Sequence, residues 1–435
     1  METISPSTLK PPKRKGFFQW LSHVKKRYPQ VRSQTEQLCA PLQQEDYGLQ
    51  TAEYASPPKW HLAHTSWFFE RFVLEANIPA YRVHNPQYGY LFNSYYEQMG
   101  GFHPRNQRGW LSRPTVADIY MYRAYVDDAM LALLERLTEE LDDAVIARIE
   151  LGLNHEQQHQ ELLLTDIKHH FAMNPLRPAY QAAQPARVGE TATLQWLEYP
   201  GGLASIGHDG EVFSFDNERP RHSVFVPPYR MASRPVTNGE YIEFIKSGAY
   251  ERPHYWLSDG WRTAREHGWH APLYWERIEG QWWHMTLAGL RPVEEAEPLC
   301  HVSFYEADAF ARWAGKRLPT ETEWELAARE LRIVGNFMES GWYRPVPAPG
   351  GSAALKQMFG DIWEWTQSPY TAYPGYRPAA GAIGEYNGKF MCNQLVLRGG
   401  SCVTPASHMR ATYRNFFYPA DRWQFSGIRL ADELY

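Results

Sequence analysis

A chain of 435 residues, 43% hydrophobic and 21% charged, has room for two or three domains with full cores, which excludes disorder and fibre. Its formal charge of -5 is modest and the basic cluster Lys10 to Lys15 is too short to track a phosphate backbone, so nucleic acid is not an expected partner. No run approaches the roughly 18 apolar residues of a membrane span, and the polar start, Met1 to Lys15, lacks the apolar core of a secretory signal, so no membrane association and a cytoplasmic location are expected.

From about residue 17 to 173 the chain reads mainly as helices. Phe17 to about Gln44 is the first candidate, and Trp60 to Ala76, opened by Ser56-Pro57-Pro58, is an amphipathic second. The third, Asp118 to Leu141, carries Ile119, Tyr122, Val126, Met130, Leu133, Leu134, Leu137 and Leu141 at helical spacing. The fourth, Ala144 to Phe171, repeats the pattern with Ile149, Leu153, Leu163 and Ile167 and stops near Asn174-Pro175. Four helices with a long loop at Ile78 to Pro114 suit an up-and-down bundle.

Gln181 to Glu190, rich in Ala, Gln and Pro, reads as a linker, so residues 1–185 and 186–435 are expected as two domains in an α+β protein. In the second, Leu194 to Ile206 and His222 to Val226 read as strands, and Asn238 to Lys246 and Glu306 to Ala314 as short helices. A further helix runs to Arg329 behind Thr320 and Glu323, a capping box. Aromatic residues make up 15% of the chain, with 17 Trp and 27 Tyr, which suits an aromatic-rich fold with much irregular structure. Cys39, Cys300, Cys392 and Cys402 lack C-x-x-C spacing and fit free thiols in a reducing compartment.

Chemistry concentrates in His155-Glu156-Gln157-Gln158-His159, where imidazoles at i and i+4 share one helical face and can hold one metal ion. The letters also satisfy H-E-x-x-H of zinc proteases, in which the Glu is the general base. That reading fails at the third ligand: Leu162 stands where Gly is needed, Thr165 where His is needed, and no Glu follows between Glu161 and Glu190. A second pair, His61 and His64, lies on another predicted helix, and one of them need face inward. Three imidazoles without carboxylate or thiolate leave positions open for substrate and dioxygen, which is compatible with non-haem iron, although spacing alone admits zinc. His169 and His170 read as helix C-terminal residues near the negative end of the dipole.

The strings Ser56-Pro57-Pro58-Lys59-Trp60-His61-Leu62-Ala63-His64-Thr65, His103-Pro104-Arg105-Asn106-Gln107-Arg108 and His155 to His159 together resemble the iron-dependent sulfoxide synthases of ergothioneine biosynthesis. The resemblance extends through Gly315-Lys316-Arg317-Leu318-Pro319-Thr320, Gly360-Asp361-Ile362-Trp363-Glu364-Trp365-Thr366, Leu397-Arg398-Gly399-Gly400-Ser401 and Gly427-Ile428-Arg429-Leu430, and so covers nearly the whole chain. It implies a DinB-like four-helix bundle joined to a C-terminal domain like the formylglycine-generating enzyme, a C-type-lectin-like fold that walls the substrate pocket. It implies His64, His155 and His159 as ligands of Fe(2+), dioxygen as co-substrate, and the joining of a cysteine-type thiol to C2 of the hercynine imidazole as a sulfoxide.

Residue roles follow from the same resemblance and from side-chain chemistry. Arg105 and Arg108 supply guanidinium forks for the thiol substrate's carboxylate. Gln158 is expected to bind hercynine, with Asn415 as its partner and Phe416 or Phe417 facing the trimethylammonium group by cation–π attraction. Tyr95 and Tyr96 are the favoured proton donors, with Tyr386 next. Relatives that use γ-glutamylcysteine carry an acidic residue where this chain has Phe417, so free cysteine is the expected donor. Between Arg398 and Asn415 only Cys402 occurs, with His408 and Met409 near the place of a second metal-binding Cys, so sulfatase activation is not expected. Hercynine and cysteine are thus the small-molecule partners, with a homo-oligomer left open. The competing readings are an ovothiol-type synthase acting on histidine at C5, a zinc-dependent bundle hydrolase or transferase, and a noncatalytic lectin-like binding protein.

Overall fold

The computed structural model describes residues 16–138, 143–185, 192–351 and 354–434; Lys10 to Lys15, Leu141 and the later part of the Gln181 to Glu190 linker lie outside these residues. The chain divides into two compact units, and the architecture is α+β as expected. The first unit comprises Met1–Met173 with two segments that return from later in the chain, Asp209–Asn217 and Gly375–Lys389. The second comprises Asn174–His208, Glu218–Pro374 and Phe390–Tyr435.

Helices α1 (Phe17–Cys39), α2 (Pro58–Phe69), α3 (Val116–Arg136) and α4 (Asp143–Met173) build the first unit. α2 packs on α3 and α4, and α1 on α4. Pro58 opens α2, where its missing N–H costs nothing and its fixed φ suits the first turn. A capping box from Thr115 and Asp118 starts α3. α2 departs from the amphipathic expectation, because every residue from Pro58 to Phe69 is buried. Its polar side chains are matched inside: Thr65 and Ser66 receive Arg32, and Thr65 also receives Arg123. The helix continues through a single π turn, Glu70–Leu74, to Glu75–Asn77.

The second unit is built of short strands: β1 (Trp196–Tyr199), β2 (Gly202–Ile206), β3 (His222–Val226), β4 (Tyr229–Ala232), β5 (Trp275–Ile278), β6 (Gln281–Thr286), β7 (Gly289–Pro292), β8 (Trp363–Pro369), β9 (Leu395–Arg398), β10 (Asn415–Phe417), β11 (Ser426–Gly427) and β12 (Ala431–Glu433). They form sheets in the orders β1-β4-β12, β10-β9-β8-β11, β2-β3 and β5-β6-β7. The run expected as one strand from Leu194 to Ile206 is thus two, broken where Gly201 takes φ +66. Buried ion pairs hold the core. Glu364 on β8 receives Arg429 and the Trp324 indole N–H, while Glu321 receives Arg398 and Arg414. The capping box of Thr320 and Glu323 is present and opens a helix over Glu321–Ala328. Among the described residues, no helix is long and apolar enough to cross a membrane.

Candidate metal centre

His155 and His159 stand one turn apart on α4, and α2 delivers His64 beside them; one nitrogen from each lies within 4.8 Å of the others. Gly152 lets the two helices approach this closely: a Cβ there would meet Phe69 Cε1 at 2.6 Å. Among the described residues, no carboxylate or thiolate joins this cluster. Burial pushes the His64 and His159 pKa values well below 6.5, with repulsion from His155 next, and burial lowers His155 to about 3. All three imidazoles are therefore neutral near pH 7 and keep a lone pair for a cation. His64 Nδ1 lies 2.6 Å from the Phe92 carbonyl, which accepts its proton and leaves the lone pair on Nε2, 3.1 Å from His155 Nε2. The donor set fits a metal ion.

The other predicted histidine, His61, lies behind the cluster. Its Nδ1 is 2.9 Å from His159 Nδ1 and its Nε2 is 3.0 Å from Asp166 Oδ2, which also accepts the Ser56 N–H at 2.8 Å. His169 and His170 do lie near the end of α4, but they are buried and their pKa values are lowered by burial, His169 to about 4. They are neutral, so the dipole expectation gives way to packing: His170 bonds Thr51 and His169 bonds Tyr54.

Glu156 points away from the histidines. It is fully buried, receiving Arg32 at 2.8 Å, Thr35 at 2.7 Å and Arg123 at 3.0 Å. Burial alone would raise its pKa, but Arg32 and Arg123 outweigh that and lower it. It is a structural anion, and the general-base role of a zinc protease has no place for it.

Arg108, on a 3-10 turn over Arg105–Trp110, is only 4% exposed and donates to Ser56 Oγ at 2.9 Å. Its guanidinium lies 3.4 Å from the centre of the Trp60 ring, which in turn stacks on His64 at 4.5 Å. Burial and the charge of Arg105 hold its pKa well below the ordinary arginine value, and among the described residues its Nε has no hydrogen-bond partner. A desolvated cation of this kind favours an anionic ligand. Arg105 is exposed and donates to the Tyr54 carbonyl.

Tyr386, from the returning segment Gly375–Lys389, sets its ring 5.7 Å from His155 and donates its hydroxyl to Gln158 Oε1. Glu385 beside it accepts the N–H groups of Glu97 and Gln98, both at 3.0 Å, and so fastens the loop that carries Tyr95 and Tyr96. Those two rings stack at 4.6 Å, and Tyr96 packs on Trp67, a neighbour of His64. Burial raises the pKa of both tyrosines well above 10. Asn415, Phe416 and Phe417 form β10 of the second unit, where Phe416 stacks on Tyr370 at 4.0 Å and Phe417 packs edge-on to Trp423.

A helical bundle with a three-histidine cluster and a strand-rich second unit defines the class, and comparison with known proteins agrees. Residues 27–163 match the DinB superfamily, and residues 181–345 and 331–434 match the sulfatase-modifying factor enzyme 1-like domain. The hercynine oxygenase of Mycolicibacterium thermoresistibile is 33% identical over 403 residues, covering 86% of this chain and 87% of that protein. Its counterpart from Mycolicibacterium smegmatis is also 33% identical, over 86% of this chain and 91% of its own. That of Mycobacterium tuberculosis is 32% identical over 87% of this chain and 91% of its own. The chain belongs to the hercynine oxygenase family and is an oxidoreductase, which overturns the noncatalytic lectin-like reading.

Proposed function

We propose that the protein is an iron(II)- and dioxygen-dependent sulfoxide synthase that joins cysteine to C2 of the hercynine imidazole in ergothioneine biosynthesis. The observation that carries this reading is the buried cluster of His64, His155 and His159, neutral and free of carboxylate or thiolate. These three residues would hold the iron, which when bound supplies the redox chemistry that oxidises the thiol substrate with dioxygen.

The chain's own residues divide the remaining work. Arg108, buried and with its Nε unbonded among the described residues, receives the thiol substrate's carboxylate, and Arg105 on the same turn adds a second guanidinium. Gln158, one position before His159 and held by the Tyr386 hydroxyl, turns its amide toward hercynine. Tyr386, with its ring against His155, is the phenol best supported as proton donor, ahead of Tyr95 and Tyr96. Asn415, Phe416 and Phe417 keep the hercynine-binding role implied by the family resemblance, and the apolar Phe417 side chain favours free cysteine because it offers no carboxylate to a γ-glutamyl amine.

Full-length protein loaded with Fe(II) and given hercynine and cysteine is expected to consume dioxygen and form the C2 sulfoxide, read by an oxygen electrode and mass spectrometry. No consumption, with equal activity in zinc-loaded protein, refutes the oxygenase chemistry. A kcat/KM for γ-glutamylcysteine clearly above that for cysteine refutes the donor.

A further inference from the structure

Asp166 Oδ2 accepts from the Ser56 N–H at 2.8 Å and lies 3.0 Å from His61 Nε2. An oxygen that accepts from both requires a proton on His61 Nε2, which leaves Nδ1 as the ring nitrogen able to accept. That nitrogen faces His159 Nδ1 at 2.9 Å. Two ring nitrogens at this distance bond only if one donates, so His159 carries its proton on Nδ1 and its Nε2 is left as the metal-binding atom. The chain Asp166, His61, His159 thus fixes a tautomer and a ring orientation with one consistent set of donors. All three residues are buried, so water does not compete.

We propose that His61 and Asp166 are positioning residues that hold His159 in its metal-binding tautomer. This rests on the metal-centre reading above and deepens it. The chain also reaches the anion-binding side of the site, because Ser56, whose N–H bonds Asp166, accepts Arg108 through its hydroxyl at 2.9 Å. Outer hydrogen-bond partners of ligating histidines typically contribute 10–100-fold in metal affinity.

The test uses the full chain and Co(II) alone, titrated against a competing chelator while the visible absorption of the bound ion is recorded. His61→Phe keeps an aromatic ring but removes the acceptor, and is expected to weaken Co(II) about 10–100-fold and alter the spectrum. His61→Asn, whose amide oxygen can stand where Nδ1 stands, is expected to restore much of the affinity. Asp166→Asn retains an acceptor and should bind far better than Asp166→Leu. His64→Ala is the control that removes a ligand outright. Wild-type affinity and spectrum in His61→Phe, with the site lost in His64→Ala, overturns the positioning role and leaves the metal centre standing. Wild-type affinity in both overturns the metal-centre reading itself. Should His61→Phe not fold, the Asp166 pair decides: equal Co(II) affinity in Asn and Leu variants overturns the proposal.

Discussion

Glu156→Gln separates the two meanings of the H-E-x-x-H letters. In this fold the carboxylate neutralises two buried guanidinium groups, and removing one member of a buried ion pair costs roughly 3–5 kcal/mol. Gln keeps an oxygen for Thr35, Arg32 keeps Asp127 at 2.7 Å and Arg123 keeps Glu36 at 3.1 Å, so the cost falls at the low end, about 3 kcal/mol. At roughly 2–4 °C per kcal/mol for a unit of this size, the Tm should drop by roughly 6–12 °C. The carboxyl's pKa is lowered by folding, so its stabilisation is present above the ordinary carboxylate range and is lost as pH falls through the folded value. The gap between variant and wild type should therefore narrow in acid. Circular dichroism melts measure the Tm, and oxygen uptake well below the variant's Tm measures turnover, which is expected to survive. An unchanged Tm with turnover nearly abolished would refute the structural role and return Glu156 to the chemistry.

Gly152→Ala places a methyl 2.6 Å from Phe69, and an overpacking cost of about 1–3 kcal/mol is expected; an unchanged Tm would contradict the close approach of α2 and α4. Arg108→Lys forfeits the fork and the stack on Trp60, and losing one charged hydrogen bond of about 1.5–3 kcal/mol corresponds to roughly a 10- to 150-fold fall in kcat/KM for cysteine, with hercynine KM little changed. Because burial already holds the three imidazoles neutral, metal uptake between pH 8 and 6 should release close to no protons, as calorimetry in buffers of different ionisation enthalpy reads; release of two or three at pH 6 contradicts it. The sign for stability follows: His155 falls from about 6.5 unfolded to about 3 folded, so the metal-free protein should lose stability as pH drops below 6.5 toward 3. Tyr386→Phe should leave Co(II) affinity unchanged and shift products from sulfoxide toward simple thiol oxidation, and an unaltered product ratio returns the proton-donor role to Tyr95 or Tyr96.

Local periodicity carried the bundle well: helices expected at Phe17, Asp118 and Ala144 begin within two residues of those positions, because apolar stripes and capping boxes are local signals. α2 was harder to read. Its Lys59, His61, Thr65 and Ser66 look like solvent-facing residues, yet they are satisfied by Arg32, Arg123, Asp166 and the Leu111 carbonyl, partners far away in the chain. Spacing could not separate His61 from His64 either, since residues three apart share a helix face. Their partners separate them: Phe92 holds His64 by Nδ1, while Asp166 claims His61. Tyr386 was the least legible, because only the return of Gly375–Lys389 to the first unit brings it to Gln158, and no local pattern signals such a return.

The five letters from His155 to His159 gain their meaning from which faces of α4 they occupy. His155 and His159, four apart, look toward His64. Glu156 and Gln160, also four apart, look toward α1, where Glu156 takes Arg32 and Thr35 and Gln160 donates to Val31 at 2.9 Å and Thr35 at 3.1 Å. A helix anchored by buried polar bonds on one face has little freedom to rotate, so the direction in which its histidine face looks is set by contacts made on its other side. That division explains how a glutamate can sit beside His155 in sequence and still face the arginines of the core. In a hydrolase of the zinc-protease type the same side chain must reach metal-bound water, and the two arginines that grip it here make that reach incompatible with the fold.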